Sequence, residues 1–147
     1  MGIFVHGTCV VVDRIGCLLL GPSGSGKSDL ALRLVMDQDA KLVADDQVAV
    51  ARLADRLVAA PPAKLAGLIE VRGLGILHMP HRARATLGLA VVLVSPNEVE
   101  RLPELDEGIE YFGVMLPLLR LAPFESSAPL KVRLAARQRK QSIMHRS

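Results

Sequence analysis

The chain has almost no aromatic side chains. They make up 3% of its 147 residues, and tryptophan is absent. The core must therefore be built from aliphatic groups, and the stacking platforms of single-strand nucleic-acid binders are missing. Only two cysteines occur, Cys9 and Cys17. Two thiols with neither CxxC nor Cys/His spacing exclude a disulfide framework and a zinc module, and fit a reducing compartment. No apolar run reaches the ~20 residues that cross a bilayer, and the first residues lack a basic-then-apolar leader pattern. These features predict a cytoplasmic protein with no membrane partner. The excess of positive charge is small, +3. It suits anionic phosphates and is too weak to argue for nucleic acid.

What the chain does have is Gly21-Pro22-Ser23-Gly24-Ser25-Gly26-Lys27-Ser28. Every fixed position of the phosphate-loop pattern G-x-x-x-x-G-K-[ST] is filled. The apolar run Cys17-Leu18-Leu19-Leu20 leads in, and the helix-like run Asp29-Leu30-Ala31-Leu32-Arg33-Leu34-Val35 leads out. A phosphate chain needs converging donors. Glycines let the loop curl so that its backbone N–H groups supply them. The following helix aims its positive end at the same anion. In this pattern Lys27 neutralises the β and γ phosphates, and the Ser28 hydroxyl holds Mg²⁺. A plain Gly/Ser surface turn gives no reason for Lys-Ser after the last glycine.

The chain reads as one domain over residues 1–147, with a basic tail from about 129. Strand pieces are expected at 3–5 and 8–12, split by His6-Gly7, and at 17–20 before the loop. A helix is expected over 27–36, with Leu30 and Leu34 on one face. Residues 47–58 read as a hairpin, 89–94 as a strand, 97–105 as a short helix capped by Asn97, and 114–119 as a strand. The tail is helix-like, with Leu130 and Leu134 on a shared face. It is either a solvated helix or a docking surface for an acidic partner or another subunit.

The short run Leu42-Val43-Ala44 stops in two acids, Asp45 and Asp46. A phosphate-loop enzyme needs an acid at a strand end for Mg²⁺, and a kinase acting on a hydroxyl needs a carboxylate to take the proton. Adjacent residues point to opposite sides, so one acid can face the metal and the other the acceptor. The strand at 89–94 ends in Ser95-Pro96 and offers no acid. Further on, Leu68-Ile69-Glu70-Val71-Arg72-Gly73-Leu74-Gly75-Ile76 sets an acid and a guanidinium beside a glycine-bearing bend. By spacing alone, Glu70 and Arg72 are equally a site pair or a surface ion pair. His6 by itself reads as a structural hydrogen-bonding residue more readily than a catalytic one.

Three stretches together resemble the catalytic domain of HPr kinase/phosphorylase, in its short proteobacterial form: His6-Gly7, the phosphate loop running on to Asp45-Asp46, and the 68–76 segment. The resemblance is good over roughly residues 3–78 and loose beyond. It implies an α/β phosphate-loop domain with a mixed sheet, related to phosphoenolpyruvate carboxykinase. It implies an ATP- and Mg²⁺-dependent kinase that phosphorylates a serine of an HPr-type phosphocarrier, and a homo-oligomer, a hexamer in the family. Residue by residue, it makes Asp46 the proton acceptor and sets Asp45 near the metal. Ser28 and Glu70 become Mg²⁺ ligands. Lys27 and His6 become contacts to the transferring phosphate, and Arg101 an active-site arginine. The Arg-rich motif tied to the family's reverse, phosphorolytic reaction is only faintly echoed around Leu116-Pro117-Leu118-Leu119-Arg120, so reversal stays open. A small-molecule kinase and a nucleotide-sensing regulator without transfer activity stand as alternatives.

Overall fold

The computed structural model describes residues 2–101 and 107–145. Its centre is β3 (Ile15–Leu20), the strand that feeds the phosphate loop. Ile15, Cys17 and Leu19 enter one apolar cluster and Leu18 the other. A strand buried on both faces needs a continuous apolar run rather than alternation, and 17–20 supplies it.

Around β3 the sheet is mixed. β1 (Gly2–His6) and β2 (Thr8–Val12) precede it; α1 (Lys27–Asp37), β4 (Lys41–Ala44), β5 (Gln47–Leu53) and β6 (Arg56–Ala60) follow. A separate hairpin is formed by β7 (Leu68–Val71) and β8 (Gly75–His78). Then come β9 (Ala85–Leu93), β10 (Gly108–Tyr111), β11 (Val114–Leu121) and α2 (Ala128–His145). The strand order is β1-β5-β6-β9-β3-β2-β4, with β11 parallel to the second half of β9 and β10 paired to β11.

β2 runs antiparallel to both β3 and β4. The C-terminal ends of β3 and β4 therefore share one edge of the sheet. This carries Asp45 and Asp46 to the loop, with β2 between the two strands rather than as immediate neighbours. The open side of β4 is covered by the 80–82 segment, which exchanges backbone hydrogen bonds with Leu42, a common protection for a sheet edge.

The two layers are unequal. α1 lays Leu30, Ala31 and Leu34 on one face of the sheet, joined by Ala128, Val132 and Ala136 of α2 and by Ile69 of β7. Val48, Val50, Leu57 and Leu116 close the other face. In α2 the buried stripe is alanine and valine, while Leu130 and Leu134 stand half exposed on the outside.

One expected element differs. Residues 97–105 were to be a helix capped by Asn97. Instead a single 3₁₀ turn spans Pro96–Glu98, and Ser95, not Asn97, forms its capping box with Glu98. The chain leaves helical geometry at Val99, four residues before Pro103, which cannot continue a helix. Residues 102–105 of that segment lie outside the described residues. β10 carried no recognisable sequence signal.

The cysteines fall on opposite faces of the sheet, Cys17 in the first cluster and Cys9 in the second. Both are free. Burial pushes the Cys17 thiol up to about 12, and moves Cys9 upward for the same reason. A buried thiol with little thiolate is a poor nucleophile. Neither should react with a thiol reagent at pH 8 in the native protein, and both should react in denaturant; a spectrophotometric thiol titration checks this.

Candidate active site

The loop between β3 and α1 is shaped by two glycines with left-handed backbones, Gly24 at φ 79° and Gly26 at φ 100°. Gly26 is also the residue before the first turn of α1, and no side chain caps that helix. The first-turn N–H groups thus lack a side-chain acceptor, the condition for holding an anion. Ser25 Oγ is buried without a hydrogen-bond partner. An orphaned donor beside an uncapped helix start fits a phosphate chain.

A Cβ on Gly26 would sit 2.9 Å from Phe124 Cζ. Arg33 anchors that ring's segment by donating to the carbonyls of Pro123 and Glu125. Gly26→Ala therefore meets both an unfavourable φ and the exposed Phe124 ring, whose backbone is anchored. It should cost on the order of 1–3 kcal/mol, and Phe124→Ala should recover only the steric part. Thermal unfolding of the single and double variants measures this.

Lys27 is nearly buried, 7% exposed. Its ammonium donates to the Gly21 carbonyl at 2.6 Å and the Pro22 carbonyl at 3.0 Å. Burial pulls its pKa down, while the charges of Asp46 and Asp45 push it back up. The lysine, the loop and both acids thus form one electrostatic unit.

Asp45 Oδ1 accepts from Ser28 Oγ at 2.6 Å and from Thr8 Oγ1 at 3.0 Å. This oxygen is held by the loop serine on one side and the buried β2 threonine on the other. A hydroxyl and a carboxylate in contact are hard oxygen donors, the chemistry that Mg²⁺ prefers. Asp46 faces elsewhere. It lies beyond β4 with φ 69°, and its Oδ1 is 3.3 Å from His6 Nε2. Both side chains are largely exposed, at 78% and 52%. The two acids do diverge, but a left-handed turn at Asp46 separates them, not simple strand alternation.

Gly7 fixes this turn. Its N–H donates to the Asp46 carbonyl at 3.1 Å, and a Cβ there would lie 2.8 Å from the Leu19 carbonyl oxygen. His6 is reached by this kink, with β1 pairing to β5 instead of forming a hairpin with β2.

Glu70 is placed on β7, exposed, where its side chain makes no hydrogen bond or ion pair among the described residues. Its strand pairs with β8 across a turn carrying Gly73 at φ 91° and Gly75 at φ 104°. No group of three His, Cys, Asp or Glu side chains among the described residues gathers at metal distance. Arg101 is exposed in a bend at the edge of the described chain. The structure thus brings Gly21 to Ser28, Asp45, Asp46 and His6 together, and among the described residues no side-chain hydrogen bond or ion pair joins Glu70 or Arg101 to them. Thr8 and Phe124 escaped the sequence reading. A threonine opening an apolar strand was the only available signal for the first.

A family model described as the HPr Serine kinase C-terminal domain matches residues 2–132. The HPr kinase/phosphorylase of Clostridium tetani is 42% identical over 89 residues, 60% of this chain and 28% of that one. That of Caldanaerobacter subterraneus is 37% identical over 130 residues, 81% of this chain and 42% of the relative. The chain thus spans less than half the length of these relatives. The solved Hpr(Ser) kinase/phosphatase from Coxiella burnetii superposes with a TM-score of 0.84, at 24% identity, covering 97% of this chain and 99% of that one. The likeness to that structure is one of fold. The matched model, the loop and the Asp45–Asp46 turn agree: this chain belongs to the HPr serine kinase C-terminal domain family.

Proposed function

We propose that the chain is a protein-serine kinase that moves the γ-phosphoryl group of ATP to a serine of an HPr-type phosphocarrier. The observation that carries this reading is the pair of divergent acids beside the loop. Asp45 is bound to the loop serine at 2.6 Å, and Asp46 is left exposed with His6 at 3.3 Å. A nucleotide sensor needs only the first acid. A transferase needs the second.

In this reading Asp46 takes the proton from the serine hydroxyl. The serine oxygen forms its bond to the γ-phosphorus as the bond to the β–γ bridging oxygen breaks, and ADP leaves. Lys27 and the loop N–H groups stabilise the charge spread over the transferring group. His6 steadies the Asp46 carboxylate and contacts the same phosphoryl oxygens. Ser28, Asp45 and Glu70 are the groups that would hold Mg²⁺, and Arg101 serves as an active-site arginine toward the phosphates. When bound there, Mg²⁺ would supply charge neutralisation for the nucleotide phosphates. The free, buried thiols suit a cytoplasmic setting, residues 1–147 act as one catalytic unit, and the working form is a homo-oligomer.

Labelled ATP separates the readings. Label on an HPr-like carrier supports this one. Label on a metabolite supports a small-molecule kinase, and binding without transfer supports a sensor. Added inorganic phosphate then tests for reversal. Within the kinase reading, Asp45→Asn should raise the Mg²⁺ concentration for half-maximal transfer by roughly 10- to 100-fold, measured by metal titration of the initial rate.

A further inference from the structure

The opposite end of the sheet carries a cavity of about 530 Å³. It lies at the N-terminal ends of β3 and β9 and beyond the C-terminal end of α1. α1 has 11 residues, so roughly 16 Å of helix separates this cavity from the phosphate loop. Nothing in the transfer reaction uses it.

Five cationic side chains line it: Arg14, Lys41, Arg82, Arg84 and Arg133. Only two acids face them, Asp13 and Asp39. Asp39 is taken by Lys41 at 3.4 Å. Asp13 is shared between Arg133 at 3.7 Å and Arg137 at 3.8 Å. Arg14, Arg82 and Arg84 have no acid partner among the described residues.

Arg82 and Arg84 share one basic stretch, but Arg14, Lys41 and Arg133 come from separate parts of the chain, so the convergence of the five is a product of the fold. Arg14 sits in the tight turn between β2 and β3, where Asp13 and Arg14 adopt φ of 49° and 69°. A two-residue hairpin turn of this kind requires positive φ at both central positions, and this holds the Arg14 backbone in place at the cavity. Arg82 is tethered through its backbone N–H to the Leu42 carbonyl at 2.8 Å. Arg133 Nε is buried with no hydrogen-bond partner, since 3.7 Å from Asp13 is too long for one. Guanidinium groups in a concave site repel one another until an oxyanion enters, and their planar forks match phosphate and carboxylate oxygens. The cavity volume falls in the range of small-molecule sites.

We propose that this cavity binds a small, multiply charged oxyanion independently of the phosphate loop. The site stands apart from the transferase reading, and neither depends on the other.

The test is a ¹H–¹⁵N titration of the full chain with tripolyphosphate, with sodium chloride of equal ionic strength as the control. Two separate sets of shifts are expected, one over residues 21–28 and one over residues 13–16 and 82–86. Arg82→Gln/Arg84→Gln should weaken the second set tenfold or more and leave the first unchanged, which also shows that the variant folds. Lys27→Ala should do the reverse. Shifts confined to 21–28, an unchanged second set in the arginine variant, or equal shifts from chloride would overturn the proposal.

Discussion

Asp46→Asn abolishes most transfer and leaves nucleotide affinity nearly intact. The carboxylate sits beside the loop and is 78% exposed, so the amide loses basicity without emptying a packed space. Positioned general bases contribute about 10²–10⁴-fold, and the loss in kcat should fall there. The fold should not change, because the Asp46 backbone carbonyl, not its side chain, accepts from Gly7. Nucleotide titration and single-turnover transfer measure the two halves separately. A variant that transfers at the normal rate would remove Asp46 as the base and leave its partner His6 as the nearest alternative.

Lys27→Ala has the second large effect, and a different signature. Its ammonium is nearly buried, bound to two loop carbonyls, and set in the field of both acids. Removing it takes away charge that faces the nucleotide in both ground and transition states. Affinity and transfer should therefore fall together, with kcat/KM lower by about 10²–10³-fold. Asp45 and Asp46 also lose their cationic neighbour, so anion repulsion adds to the defect. Lys27→Arg should not restore activity, because a planar fork cannot occupy the position of a compact ammonium between the Gly21 and Pro22 carbonyls. A loss confined to kcat would show that Lys27 acts only in the transition state.

The loop was readable because its chemistry is local. Four fixed positions within eight consecutive residues are filled, and the flanking runs announce a strand and a helix. The Asp45–Asp46 pair was readable for the same reason, as two acids closing a short apolar run. Their actual relation was not. β2 lies between β3 and β4, a fact of long-range pairing that no local pattern encodes. Thr8 became a partner of Asp45 only through that pairing.

The helix expected over 97–105 shows the opposite failure. Asn97 offered a helix cap there, but the Ser95–Glu98 box closes after one turn. In α2, Leu130 and Leu134 share a face as expected, and it is the outer one. The sheet instead takes Val132 and Ala136, because close approach to β3 and β9 favours small side chains. Residues 78–86 read as a basic stretch, either an anion-contacting loop or solvated charge, but its convergence with Arg14 and Arg133 was not readable, since these arginines are more than a hundred residues apart at the extremes.

The most direct test of the central claim is a crystal structure of this chain with Mg²⁺ and a non-hydrolysable ATP analogue. The account places the γ-phosphate over Lys27, within reach of the His6–Asp46 pair, with Ser28 and Asp45 on the metal side. A γ-phosphate turned away from Asp46, with that carboxylate still facing solvent, would contradict it.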